Sequence, residues 1–244
     1  MLIYKDQIEA LSKLGNTPKK IAEISGIKYA TVWSYCKRLN LPMEGSGGKN
    51  AIIQYNPFES WDENAQYWFG YIAGDGNLSS KKYSISICSQ DLEHLTKYKD
   101  WLKLDKMHIS KRGKSPRGIV LFGNKDTHKC LIDRGLTPNK SLTLELNIPF
   151  TPHILRGLFD ADGCARNKRN RSKITSGSIK LLQQIQTYLI EHTINSFIAV
   201  QCGKTYCISI SGHSDKDFYN LLYKDASVYL ERKEEKLRRA SMRK

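Results

Sequence analysis

Two nonapeptides with a common pattern constrain this chain more than any other feature. One runs Trp68-Phe69-Gly70-Tyr71-Ile72-Ala73-Gly74-Asp75-Gly76, the other Leu155-Arg156-Gly157-Leu158-Phe159-Asp160-Ala161-Asp162-Gly163. Both place glycine third, aspartate eighth and glycine ninth, and their terminal acids, Asp75 and Asp162, are 87 residues apart. Each reads as an apolar helical stretch that ends in an acid. A residue as small as Gly70 or Gly157 lets two helices approach more closely than the usual spacing of about 8–10 Å. If the copies pack together, their C-terminal ends lie side by side and the two aspartates become neighbours. Carboxylates that close repel and raise each other's pKa unless a cation neutralises them. The helix dipole also disfavours an acid at a C-terminus, so two acids there argue for a purpose beyond ordinary capping. Mg²⁺, which is held by one or two carboxylates together with water and phosphate, suits such a pair.

The downstream nonapeptide resembles the signature of LAGLIDADG homing endonucleases at seven of nine positions, Arg156 and Phe159 departing from it. The upstream copy matches less well, with Ala73 where the signature has its first acid. The resemblance covers about residues 58–235. It implies an α+β fold, a pseudo-twofold pair of αββαββα repeats whose antiparallel sheets lie side by side. It also implies a monomeric, site-specific double-strand DNA endonuclease of a mobile genetic element. Such an enzyme cuts a long asymmetric target across the minor groove and leaves short 3′ overhangs. Under the resemblance Asp75 and Asp162, with Gly74 and Ala161 just before them, form the metal set for Mg²⁺, with Mn²⁺ as a substitute. One ion would activate water and another steady the leaving oxygen. Lys140 and Lys233, each after the last helix of its repeat, would stabilise the extra charge of a pentacoordinate phosphate. Gln90 or Asp91 would hold water in repeat one; Gly177 and Ser178 fit that role poorly in repeat two. Asp160, at the position of the first acid, is expected to make structural hydrogen bonds.

Charge agrees with a polyanionic partner: 39 Lys and Arg against 24 Asp and Glu give a formal +15,. No run of 18 apolar residues is present, so a membrane partner is not expected. Met1 to Leu14 lacks the long apolar core of a signal peptide. A protein of the cytoplasm, the nucleoid or an organelle, not a secreted one, is the expectation. The six cysteines contain no C-x-x-C pair, so reduced thiols are favoured over a zinc site.

Composition and periodicity divide the chain. Residues 1–41 read as a helix-turn-helix DNA-binding domain, similar to the resolvase type. Ile8, Leu11 and Leu14 recur at helical spacing, Thr17-Pro18 is a start signal, Ile21, Ala22 and Ile24 point inward, and Gly26 makes the turn,. On the last helix, Lys28, Tyr29, Thr31, Ser34, Lys37 and Arg38 are of types that contact phosphates and base edges. Residues 42–57 read as a linker, with three glycines between Gly45 and Gly48,. Repeat one is placed at 58–150 and repeat two, with a basic tail, at 151–244. Strict alternation in Tyr83 to Ser89 marks a strand with Ile85 and Ile87 inward. At the 87-residue offset Ile87 falls on Ile174, Leu95 on Leu182 and Leu102 on Leu189 without a gap. Arg166, Lys168, Arg169, Arg171 and Lys173 follow the second acid, and Lys81 and Lys82 hold the corresponding place in repeat one. These are read as DNA contacts, the plainer reading being a solvated basic hairpin that guards a sheet edge. Glu231 to Lys244 reads as a solvated helix and tail. The competing function is a non-cleaving nucleic-acid-binding protein on the same scaffold, an intron maturase or a transcription regulator. Retention of both terminal acids favours the enzyme.

Overall fold

The chain divides into two units, residues 1–49 and 50–244. The computed structural model describes residues 4–13, 16, 18–39, 41, 51–110, 115–165, 171–203 and 205–242.

The first unit is three short helices, α1 (Lys5–Lys13), α2 (Pro18–Ser25) and α3 (Tyr29–Arg38). None buries enough alone, and their shared core is Ile8, Ile21, Val32 and Cys36, all fully buried, with Leu11, Ala22, Ile27 and Tyr35 packed around it. Gly26, at φ +69°, makes the left-handed turn from α2 towards α3,. Ile24, expected inward, is 52% exposed. The buried stripe of α2 runs through Pro18 and Ile21, and the helix ends before another turn can cover Ile24. Leu14 and Thr17 lie outside the described residues.

The second unit realises the repeat. Repeat one is α4 (Glu63–Asp75), β2 (Gly76–Leu78), β3 (Ser84–Ser89), α5 (Leu92–Trp101), β4 (His108–Ser110), β5 (Arg117–Gly123) and α6 (Lys125–Asp133). Repeat two is α7 (Pro152–Asp162), β6 (Gly163–Cys164), β7 (Lys173–Ser176), α8 (Ile179–Glu191), β8 (Ser196–Cys202), β9 (Thr205–Ile210) and α9 (Asp215–Tyr223), followed by α10 (Glu231–Ser241). Side-chain caps set the starts of both motif helices. Asp62 accepts from the Ala65 N–H at 2.9 Å, and Thr151 from the Ile154 N–H at 3.2 Å with Pro152 next in line,.

The second sheet is antiparallel in the order β6-β7-β9-β8. In the first, β2, β3, β5 and β4 are antiparallel, and a further strand, β1 (Ala51–Ile52), runs parallel to β5 with Ala51 opposite Phe122. That strand adds one parallel pairing to the expected antiparallel sheet. It also shows that residues 51–57 of the expected linker are built into the fold: Ile53 is buried, and its carbonyl accepts from Asn124 Nδ2 at 2.9 Å. Two residues are too few to reveal an alternation. Ile85, Ile87, Val120 and Phe122 face inward and join Ile174, Ile208 and Ile210 of repeat two in one continuous core. A second correction concerns α10. Lys233, Leu237 and Ala240 fall on one helix face and are buried,, so this segment is part of the fold and not a solvated tail.

Candidate functional site

Helices α4 and α7 cross where their glycines meet. A Cβ built on Gly157 would stand 2.1 Å from the Tyr67 carbonyl oxygen, and one on Gly70 would stand 2.1 Å from that of Ile154. The approach is therefore backbone on backbone, and no side chain larger than hydrogen fits. One turn on, a Cβ on Gly74 would meet the Ala161 Cβ at 2.5 Å and Asp162 Oδ2 at 3.0 Å. The carboxylate of repeat two thus lies over the chain of repeat one. Gly76 and Gly163 close the helices at φ −83° and −82°, which is not left-handed. They are glycines for want of room: a Cβ would come within 2.6 Å of the Ile72 carbonyl oxygen and 2.4 Å of that of Phe159.

The packing leaves Asp75 and Asp162 facing solvent at the paired helix ends. Desolvation by the surrounding protein raises both. Asp162 reaches about 6, the charge of Asp75 adding to the burial; Asp75 is raised by burial while Lys233 and Lys140 oppose the rise. Two lysines complete the group. Lys140, on a 3-10 turn (Lys140–Leu142), is 8% exposed and donates to the Gly76 carbonyl. Lys233 is 6% exposed and donates to the carbonyls of Phe159 at 3.0 Å and Ala161 at 2.9 Å. Burial lowers both amines, Lys233 to about 8, and the acids partly restore them. A buried lysine against a helix-end carbonyl is not the solvated surface lysine that sequence alone leaves open.

Asp160 is fully enclosed. It accepts from the hydroxyls of Tyr67 at 2.8 Å and Tyr223 at 2.5 Å and from the Leu230 N–H at 2.7 Å. The expected structural role has these three bonds as its basis, and burial raises the carboxyl to about 6. Ala73 dispenses with the counterpart in repeat one. Asp91 is held by Arg232, which donates from Nε to Oδ1 at 2.6 Å and from Nη2 to Oδ2 at 2.7 Å. Gln90 is exposed beside it.

Lys81 and Lys82 are exposed, Lys173 is half-buried on β7, and Arg171 lies 5.0 Å from the ring of the exposed Phe197. Arg166, Lys168 and Arg169 lie outside the described residues. In the first unit Lys28, Tyr29, Ser34, Lys37 and Arg38 are exposed and Thr31 is half-buried. Two side chains escape a reading of the sequence. Trp33 is 40% exposed with Lys37 over its ring at 5.6 Å; its i, i+4 spacing to that lysine was the available signal. Arg156, one of the two departures in the second nonapeptide, is buried. It donates to Glu63 Oε1 at 2.6 Å, the Val228 carbonyl at 2.8 Å and the Leu222 carbonyl at 2.9 Å, tying repeat two to the start of α4.

Among the described residues no cluster of three or more His, Cys, Asp or Glu gathers to hold a metal. Two carboxylates with solvent on their open side are instead the sparse, oxygen-only donor set that Mg²⁺ accepts. No helix among the described residues is long and apolar enough to cross a membrane.

Comparison with known proteins agrees with this architecture. Residues 153–221 match the family model of the LAGLIDADG-like domain, so the resemblance read from the nonapeptides holds in the second repeat. The chain is 27% identical over 168 residues to the ATP-dependent DNA helicase Hel308 of Methanocaldococcus jannaschii, a match that covers 65% of this chain and 14% of the helicase. Among solved structures, the homing endonuclease I-WcaI bound to its DNA recognition sequence is similar with a TM-score of 0.51 and 16% identity, over 74% of this chain and 90% of that one. Full-length DUF199/WhiA from Thermatoga maritima gives 0.49 and 20%, over 73% and 59%. At 16% identity the I-WcaI likeness shows the fold alone, which is that of the homing endonucleases.

Proposed function

We propose that this chain, a carrier of the LAGLIDADG-like domain, is a site-specific, divalent-metal-dependent endonuclease that hydrolyses both strands of a DNA duplex. The observation that carries the reading is the pairing of Asp75 and Asp162 at two glycine-crossed helix ends, each with a buried lysine on the neighbouring carbonyl. Fold alone does not decide function, so the reading rests on this site.

Asp75 and Asp162, with the backbone at Gly74 and Ala161, would hold the metal, Mg²⁺ or Mn²⁺. When bound, such ions supply Lewis-acid stabilisation and a nucleophilic water. The residues of the chain do the rest. The two acids repel, so they would lose protons most readily when a cation is at hand, which couples their charge to metal binding. Lys140 and Lys233 lie beside them as ammonium groups at neutral pH, able to offset charge that grows on a phosphoryl oxygen. Their carbonyl bonds fix them before the substrate arrives. Lys81, Lys82, Arg171, Lys173 and the basic residues 166, 168 and 169 contact the backbone and groove, and α3 of the first unit provides a second contact. The monomer would meet a long asymmetric target, because the two repeats carry different side chains at equivalent positions.

Incubation with a plasmid library of candidate sites, in Mg²⁺ and then in Ca²⁺, tests the reading. Linearised product in Mg²⁺ is expected. Asp75→Asn or Asp162→Asn should abolish double-strand cutting while DNA affinity stays within about a few-fold, since each removes a metal ligand and not a phosphate contact. Full cutting by either variant sinks the two-acid site; binding without cutting by the unaltered protein favours the maturase or regulator alternative.

A further inference from the structure

Asp91 and Ser178 stand 87 residues apart and are the N-cap residues of the second helix of their repeats, α5 and α8. They are therefore equivalent positions, and neither spends its polar atoms only on its own helix. Asp91 makes no side-chain cap bond; both its oxygens are held by Arg232, the residue immediately before Lys233. Lys97 of α5 adds a bond to the Tyr229 carbonyl at 3.3 Å and an ion pair with Glu231. Ser178 Oγ donates at 2.6 Å to the carbonyl of Leu144, just past the turn that carries Lys140. Its neighbour Gly177 packs so tightly on that turn that a Cβ would stand 2.6 Å from the Ser141 carbonyl oxygen. Gln184 of α8 brackets Leu146, donating to its carbonyl and accepting from its N–H.

We infer that the two repeats position each other's site lysines: Asp91 of repeat one, through Arg232, holds Lys233 on the end of α7, and Ser178 of repeat two holds the Lys140 turn on the end of α4. The inference rests on the endonuclease reading only for what the lysines act upon. It assigns Asp91, Gly177 and Ser178 a supporting task in place of the water-holding one. The two supports use different chemistry, an ion pair on one side and a neutral hydrogen bond with a glycine contact on the other. They are therefore separable by mutation.

The experiment measures lysine reactivity in the full chain. Limited acetylation at fixed pH, read residue by residue by mass spectrometry, reports how often each amine leaves its carbonyl. Asp91→Asn is expected to raise labelling of Lys233 about fivefold, as loss of one exposed ion pair allows, and to leave Lys140 unchanged. Ser178→Ala is expected to do the reverse. The exchanged pair, Asp91→Arg with Arg232→Asp, should return Lys233 to its original reactivity. Equal response of both lysines in either variant, no response in Asp91→Asn, or failure of the exchanged pair to restore protection overturns the inference. Should Ser178→Ala fail to fold, the Asp91 variants decide alone. On a cut target, Asp91→Asn should slow one strand and Ser178→Ala the other. Reciprocal labelling by a protein that cuts no DNA would retain the positioning and remove the endonuclease reading.

Discussion

Asp162 carries an ionisation cost in the folded chain. Its carboxyl is raised to about 6 from an ordinary 3.8 by burial and by Asp75. The folded state therefore favours the proton, and the penalty for ionising is absent well below pH 3.8, grows between 3.8 and 6, and is complete above 6. Asp162→Asn removes it. Thermal unfolding should rise at pH 7 by about 2–4 °C, the equivalent of roughly 1 kcal/mol after allowance for solvent screening, with no gain at pH 3.5. Metal binding, which needs the ionised acid, should strengthen as pH rises through about 6; isothermal titration with Mg²⁺ or Mn²⁺ would measure it. Arg156 acts in the opposite sense. Its truncation to Met strands the Leu222 and Val228 carbonyls and leaves Glu63 without its cation, only the Ser227 N–H still donating to Oε1 at 2.9 Å. A loss of about 3 kcal/mol is expected for breaking such a buried arrangement, read as a lower urea midpoint at unchanged slope.

The element that decides the site is the crossing of α4 and α7. In an open helix Gly→Ala stabilises by about 1 kcal/mol. At Gly157 the added methyl would collide with the Tyr67 carbonyl oxygen at 2.1 Å. Backbone atoms cannot step aside as a side-chain end can, so Gly157→Ala should instead destabilise by about 1–3 kcal/mol or more. Calorimetry gives the sign directly, and a stabilised variant would contradict backbone-on-backbone packing. The helix boundaries follow local chemistry in the same way. Asn124 caps α6 by accepting from the Thr127 N–H at 2.7 Å, and α5 stops at Trp101 because Lys103 turns left-handed at φ +52°.

For the whole molecule the ruling quantity is charge. A protein that neutralises about 6–10 phosphates loses on the order of 10³–10⁵ in affinity between about 50 and 200 mM salt. A flat salt dependence would contradict a basic DNA face. The two units allow a second test. The larger unit has its own continuous core, so removal of residues 1–50 should leave a folded protein that still cuts. Affinity should fall, because a tethered second reader acts through effective concentration. The footprint should shorten at one end, where α3 with Trp33 and Lys37 would have lain. An unchanged footprint would mean that the helical unit does not touch DNA, and insoluble truncated protein that it belongs to the core.

The sequence by itself determined the repeat, the order of its elements and the identity of the paired acids. These depend on local periodicity and on a spacing of 87 residues that any reader of the chain can count. Asp160's structural bonding was legible for the same reason, from its place in the nonapeptide. Only the tertiary structure decided what each side chain meets. Lys140 and Lys233 are surface-type residues whose burial comes from segments 64 and 72 residues distant in the chain. Arg156 sits in an apolar run and finds carbonyl partners 66 and 72 residues away. Asp91 reaches Arg232 across 141 residues, and nothing near either one announces the pair. A hydrogen bond needs only two groups within about 3 Å; chain separation leaves no local trace of it, and folding alone brings the two together.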